Sequence, residues 1–325
     1  MYYISDNLGD NLNYYILNKI TRFKKFQFYD IKMNKSGAKI IDEKNIKKLD
    51  EIAKTDLFFI GSILNVICNW RYRFQIENNK YKSIINKWYF KFYEFFHPLI
   101  IFGSGFSSLK YENESYIRNI KIIAVRGNIS LQRLKKNKIT VSNSVVLADP
   151  GLLFPIIFKF KKLNSVKKYY NLCIIPHYVD QNNTLIKSKI KVKQSMILNI
   201  KENPFKFIKT LSKCKRVLSS SLHGLIISDS LAIPNLRIVA SNKIIGGDYK
   251  FRDYYSAYGL KIPLQFNLNK TTFTEKQLKI IDSNYNISLD IIKKKQCQLL
   301  IKFPYRLNKE LYIYKKTCIK RYINF

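Results

Sequence analysis

The stretch RVLSSSLHGLIISDSLAIPN, residues 216–235, decides how this chain is read. It opens apolar and β-prone at Val217 and Leu218, passes through Ser219, Ser220 and Ser221, and continues with Leu222, His223 and Gly224. Leu225, Ile226 and Leu231 then recur at helical spacing, Pro234 ends the run, and residues 236–239 read as another strand. The order is strand, small-residue turn, helix, strand. A helix that begins just after the serines aims unpaired N–H groups and the positive end of its dipole at the turn. Such an end receives anions, and His223 stands beside it. A group that titrates near neutral pH next to an anion can transfer protons. A serine N-cap followed by a packed histidine has the same spacing, and this segment alone leaves both readings open.

Upstream, four short apolar runs each end in small or charged residues. Residues 57–60 are followed by Gly61 and Ser62, and residues 99–102 by Gly103, Ser104 and Gly105. Residues 120–125 are followed by Arg126 and Gly127, and residues 145–147 by Asp149, Pro150 and Gly151. Continuous rather than alternating hydrophobicity suits parallel strands covered on both faces. Ligands of open α/β sheets bind beyond the carboxyl ends of the strands, where these turns and Arg126 fall. Near the start, NLGDNLN (7–13) leads into a helix carrying Tyr14, Ile16, Leu17 and Ile20. It reads either as a ligand cradle or as an ordinary helix start. Between residues 84 and 96, Ile84, Ile85, Trp88, Phe92, Phe95 and Phe96 line one helix face, as core or as a membrane-surface stripe. His97 reads as structural.

Downstream, the basic segment FKFKKLNSVKKYY (158–170) reads as a linker. A second α/β unit follows, with strands at 172–175 and 196–200 and a helix at 205–213. Pro176, His177 and Tyr178 close its first strand, so His177 and His223 both fall at strand ends. The loop holding Gly246, Gly247, Asp248, Lys250, Arg252 and Asp253 reads as an anion- or acceptor-binding loop, or as a solvated lead into a helix. Residues 274–300 read as helical, and the basic, aromatic tail packs on the first unit or touches membrane. The expected division is 1–160, 161–300 and a tail at 301–325.

Lys and Arg number 58 against 22 Asp and Glu, a formal charge of +36 over 325 residues. The excess calls for an anionic partner, although part of it follows a general bias towards Lys, Ile and Asn. No nucleic-acid-binding signature accompanies it. Cys68, Cys173, Cys214, Cys297 and Cys318 lack C-x-x-C spacing. They read as reduced thiols of a cytoplasmic protein, without a disulfide or zinc framework, and no metal site is expected. The sequence has no signal-peptide pattern and no run of roughly 20 apolar residues.

The ordered set NLGDNLN (7–13), GSIL (61–64), GSGF (103–106), VRGNIS (125–130), ADPGLL (148–153), IIPHYVD (174–180), SSSLHGLIISDSLAIPN (219–235) and KFRDYYSAYG (250–259) resembles bacterial polysaccharide pyruvyl transferases. The resemblance covers roughly residues 5–260. Leu8, Asn128 and Ala148 stand where that family often has Phe, Pro and Gly, departures that touch turn geometry rather than charged groups. The resemblance implies an α/β fold of two Rossmann-like domains facing a cleft, as in GT-B glycosyltransferases. It implies phosphoenolpyruvate as donor, a hexose of a surface glycan or its lipid-linked precursor as acceptor, a pyruvate ketal as product, and no cofactor.

In that chemistry His223 is the expected acid/base group, and Arg126 the bidentate holder of carboxylate or phosphate. Backbone N–H groups around Ser219, Ser220, Ser221, Leu222 and Gly224 take phosphate oxygens. His177 is the second candidate for donor or proton, and Lys250 and Arg252 neutralise phosphate or a diphosphate-linked acceptor. Asp10, Asn11, Gly61, Ser62, Gly103, Ser104, Gly105 and Gly127 complete the expected binding surface. Two other readings compete: a GT-B glycosyltransferase using a nucleotide sugar, and a non-enzymatic basic binder of acidic membrane. The expected location is cytoplasmic, with peripheral contact at the inner face of the plasma membrane.

Overall fold

The computed structural model describes residues 15–17, 19–21, 57–58, 64, 98–107, 119–157, 166–261 and 264–322. Asp10, Asn11, Gly61, Ser62 and the aromatic stretch at 84–97 lie outside the described residues.

Two parallel sheets organise the chain. The first holds β1 (Leu57–Phe58), β2 (Leu99–Ser104), β3 (Ile120–Val125) and β4 (Val146–Leu147), side by side in chain order. Ile101, Ile122 and Val125 pack with Leu131 and Leu134 of α1 (Asn128–Lys136), whereas Phe102, Ala124 and Val146 pack with the main core. Burial on both faces is what the unbroken apolar runs require.

The second sheet is built from β5 (Leu172–Ile175), β7 (Ser195–Ile197), β8 (Val217–Ser219), β9 (Asn235–Val239) and β10 (Gln265–Asn267). All pair in parallel, in the spatial order β10-β9-β8-β5-β7. Read from the β7 edge, that order is second, first, third, fourth, fifth along the chain. The winding therefore reverses between β5 and β8, and a crevice opens beyond their carboxyl ends. A small parallel pair, β6 (Ile190–Lys191) with β11 (Phe273–Thr274), stands apart. Side chains alternate across this sheet. Cys173, Ile175 and Val217 face the main core, and Leu172, Ile174, Leu218, Leu236 and Ile238 face a separate cluster with Ile186 and Ile281.

Further helices are α2 (Phe154–Ile157), α3 (Thr184–Lys189), α4 (Pro204–Leu211), α5 (Leu222–Ser230), α6 (Tyr249–Ser256), α7 (Leu278–Asn284), α8 (Leu289–Lys302) and α9 (Lys309–Tyr322). Helix α4 starts with an Asn203 side chain that accepts from the Phe205 N–H and with Pro204 in the first turn. Every residue of α5 except His223 is buried, which explains a sequence that is apolar around its circumference.

The region read as one helix over 274–300 divides into β11, α7 and α8. The break falls before Ser288, whose side chain caps α8 by accepting from Ile291 N–H. The tail is helical and returns to the first unit. Asn308 donates from Nδ2 to the Lys19 carbonyl at 2.6 Å and from its backbone N–H to the Ile20 carbonyl at 3.0 Å. On α8, Lys295 Nζ donates to the Leu147 carbonyl and Gln296 Nε2 to that of Leu152.

The expectation of free thiols is corrected. Cys173 is bonded to Cys214, and Cys297 to Cys318. Separations of 41 and 21 residues hid the pairs. Cys214 directly precedes the turn into β8, the neighbour of β5, and α8 packs on α9. The Cα atoms of each pair thus approach to 5.8 and 5.3 Å, within disulfide reach.

Candidate functional site

The crevice between β5 and β8 collects the residues that the sequence singled out downstream. His177 follows β5, and its backbone N–H donates to Ser220 Oγ at 2.9 Å. Its own Nδ1 accepts from the Val179 N–H at 3.4 Å, which leaves the ring hydrogen on Nε2, and its ring lies 4.5 Å from that of Tyr178. Ser219 Oγ accepts from the Ser221 N–H at 3.0 Å and lies 2.8 Å from the Ile175 carbonyl as donor. Ser221 is the N-cap of α5 and accepts, at 3.4 Å, from the Gly224 N–H. The Ser220 N–H goes to the Ile175 carbonyl. The amides of Ser220, Ser221 and Gly224 are therefore engaged inside the chain. The serines fasten the turn from within. The amides of Leu222 and His223 open α5 and have no such partner among the described residues.

From the first sheet comes Arg126, at the end of β3 and the largest fully buried side chain among the described residues. Its Nε donates to Asp253 Oδ2 at 2.9 Å and its Nη2 to the Phe106 carbonyl at 2.5 Å. Asp253, on α6, also accepts from the Ser130 N–H and hydroxyl, both at 2.7 Å. Ser256 Oγ accepts from the N–H groups of Asn128 and Ile129. The start of α1 is thus capped by side chains of α6. Two glycines allow the approach. A Cβ on Gly105 would lie 2.5 Å from the Arg126 guanidinium, and one on Gly127 would lie 1.6 Å from the Asp253 carbonyl oxygen.

Electrostatics here differ from the sequence expectation. His223 is half-buried, and its Nε2 is shielded and without a hydrogen-bond partner among the described residues. Burial, then the positive charges of Lys250 and Arg126, push its pKa down to about 3. Burial and Lys250 do the same to His177, also to about 3. Both imidazoles are neutral at pH 7 in the unliganded protein, rather than titrating there. Lys250 itself is pushed down to about 7 by burial and by Arg126 and Arg237. Asp149, which follows β4, is raised to about 6 by burial. Its Oδ1 accepts from the Gly151 N–H at 2.8 Å, and its Oδ2 has no partner among the described residues. On the far side of α5, buried Asp229 accepts from Tyr254 Oη at 2.7 Å and from Asn235 Nδ2 at 2.6 Å, yet burial raises its pKa to about 7.

The structure therefore brings together His223, His177, Lys250, Arg126 and the serine turn. Gly103 and Ser104 lie at the end of β2, and the Ser104 carbonyl accepts from the Arg126 N–H at 3.2 Å. Arg252 stands on the exposed side of α6, away from this group. The sequence reading missed Asp149, Asp229 and Arg237 as site residues, and took Asp253 only as an acid of the loop that follows Gly247. A signal for Asp253 was present: an acid set among Phe251, Tyr254 and Tyr255 on a buried helix face needs a cationic partner. Among the described residues no group of three or more His, Cys, Asp or Glu is placed to hold a metal, and no helix is long and apolar enough to cross a membrane.

Two parallel sheets and a reversed winding define a Rossmann-like α/β protein. Comparison with known families is more specific. The chain belongs to the polysaccharide pyruvyl transferase family, whose pattern matches residues 3–242, and that is a family of transferases. The chain is also 36% identical over 140 residues to an uncharacterized protein of Acanthamoeba polyphaga mimivirus, over 42% of this chain and 48% of that protein. It spans about half the length of that relative. No solved structure matches.

Proposed function

We propose that this chain moves pyruvate from phosphoenolpyruvate onto a hexose of a surface glycan or its lipid-linked precursor, as a ketal. The observation that carries the reading is His223: a neutral imidazole with an unspent Nε2, beside Lys250, His177 and Arg126, in a chain of this family. The chemistry joins two sugar oxygens to C2 of the enol while C3 becomes a methyl group and the C2–O–phosphate bond breaks. One hydroxyl proton passes through His223 to C3, and the second leaves with phosphate. A neutral imidazole can take the first proton. The negative donor, once bound, raises the histidine pKa and holds the imidazolium until C3 receives the proton.

Arg126 enters with a changed role. Its fork is turned onto Asp253 and Phe106, so it supplies buried positive charge and joins the units rather than gripping the donor. His177 orients the turn through Ser220. The arrangement we attach to this reading is GT-B-like, with units at 1–160 and 161–300 facing a cleft and the 301–325 tail closing on the first. Gly103, Ser104, Gly105 and Gly127 then act through the packing at the cleft edge. A cytoplasmic place at an acidic inner membrane face accompanies the proposal. Helix α9 exposes Tyr312 and Ile313 next to Lys316, Lys320 and Arg321, which suits such a surface.

Thermal stabilisation by phosphoenolpyruvate, set against uridine-diphosphate sugars, tests the donor. A shift with phosphoenolpyruvate, and ketal formation on a hexose acceptor that is lost in His223→Ala, is the expected outcome. A shift and turnover with a nucleotide sugar instead would overturn the reading in favour of glycosyl transfer.

A further inference from the structure

Arg237 lies where a strand in a buried sheet normally carries an apolar residue. It is on β9, in register with Ser219 of β8, and only 5% exposed. Its neighbours Leu236 and Ile238 enter the cluster on the opposite face of the sheet. Alternation therefore turns Arg237 to the face that carries Ser219 and α5. Its Nη2 donates to Asp248 Oδ1 at 2.7 Å, and its guanidinium lies 3.8 Å over the Phe251 ring. Its Nε and Nη1 are buried with no acceptor among the described residues. Burying a guanidinium with such donors unspent is costly.

Lys250 Nζ lies 5.7 Å from the centre of the same Phe251 ring. The sum of those two ring distances is the most that separates the two cationic heads. Among the described residues Lys250 has no carboxylate partner. Asp248, with a side chain 47% exposed, stands at the rim and meets only one edge of Arg237. Two basic groups thus meet the same ring, with Arg237 level with the carboxyl end of β8, next to the turn that leads to His223. Lys250 is also the first-ranking charge acting on both His223 and His177, which fixes it at the same crevice.

We infer that Arg237 and Lys250 form an oxyanion subsite for a phosphomonoester group. A guanidinium edge takes two phosphate oxygens in parallel, and the ammonium takes the third as a point charge. The site rests on the proposed function only for the identity of the ligand, the phosphate of the enol donor. The site itself is a property of this chain. Its position separates the phosphate end of the donor from Arg126, whose donors are spent elsewhere.

The test is isothermal titration of the purified full chain with orthophosphate, at constant ionic strength against chloride, in wild type, Arg237→Met and Lys250→Met. Wild type is expected to bind one orthophosphate, and each substitution to weaken it by about tenfold or more, the loss of a charge-assisted pair. Because Arg237 is buried, Arg237→Met is read only if its circular dichroism matches wild type; Lys250→Met, at a half-buried position, otherwise decides. No binding beyond chloride by wild type, or unchanged affinity in the folded variants, would overturn the subsite. Inorganic pyrophosphate binding about tenfold tighter than orthophosphate would overturn the monoester assignment in favour of a diphosphate. Failure of pyruvyl transfer with orthophosphate binding intact and lost in the variants would sink the donor reading and leave the subsite standing. Transfer that proceeds with phosphate binding unaltered in the variants would do the reverse.

Discussion

Arg126 and Asp253 stand 127 residues apart in the chain and meet at 2.9 Å, with both side chains closed to solvent. One ends a strand of the first sheet, and the other lies on the helix that follows the fourth strand of the second. A buried ion pair adds little net stability, but loss of one member strands the other charge. We expect Arg126→Met and Asp253→Ala each to cost about 3–5 kcal/mol in urea denaturation. The double substitution Arg126→Met/Asp253→Leu should cost clearly less than the two together. Additive losses would mean that the pair is not coupled.

The second prediction concerns the junction of α1 and α6. A methyl group at Gly127 would fall 1.6 Å from the Asp253 carbonyl oxygen, and backbone cannot swing aside as a long side chain can. Gly127→Ala should lower stability by about 2–4 kcal/mol. Gly247, with open space around its Cβ position but a positive φ of 47, should lose only about 1 kcal/mol on the same change. Equal melting temperatures for the two variants would contradict the packing at Gly127.

Asp229 gives the third prediction through pH. Its folded pKa is raised to about 7 from 3.8 by burial. The stability it contributes is therefore complete below the unfolded value and is lost as pH rises through about 7. Asp229→Asn keeps the shape and removes the titration. Relative to wild type, the variant should gain about 2 kcal/mol between about pH 5 and pH 8. His177 and His223 work in the opposite direction, since depressed pKa values cost stability as pH falls from 6.5 towards about 3. They are common to both proteins and cancel in the difference. A difference in stability that does not change with pH would show that Asp229 is not protonated on folding.

The fourth prediction separates chemistry from folding at His223. Its Nε2 makes no internal hydrogen bond among the described residues, so His223→Gln removes little structure. Ketal formation should fall by about 10²–10⁴-fold, the range of general acid–base catalysis, with a melting temperature within a few degrees of wild type. Full turnover in a folded variant would remove the proton role.

The parallel strands, their turns and the helix after the serines were legible in the sequence because each is local. An unbroken apolar run followed by small residues means the same thing wherever it occurs. His177 and His223 were found as strand-end residues for that reason. What escaped was set by contacts between distant segments. The partner of Arg126 lies beyond another whole sheet, so the arginine read as free to grip a ligand. Cys173 and Cys214 are adjacent only because β5 and β8 pair out of chain order. The pKa of His223 depends on Lys250, an alignment that no spacing rule reveals. Arg237 sat inside an apolar strand run and was passed over as part of it, although a charge in such a run is the kind of local inconsistency that marks a site.

The return of α8 and α9 to the first sheet governs the order in which the molecule can assemble as it is made. On the ribosome, the strands β1 to β4 emerge well before the helices that supply Lys295 and Gln296 to their loops and Asn308 to the carbonyls of Lys19 and Ile20. The second sheet, by contrast, is contiguous from β5 to β10 and carries its own covering helices. Its face toward Ile186 and Ile281 can close early, whereas Cys173, Ile175 and Val217 share the main core with the first sheet and with Leu299 and Leu300 of α8. The half that is translated first is thus the half that is finished last, and its apolar strands are the part of the newborn chain with the longest exposure to chaperones.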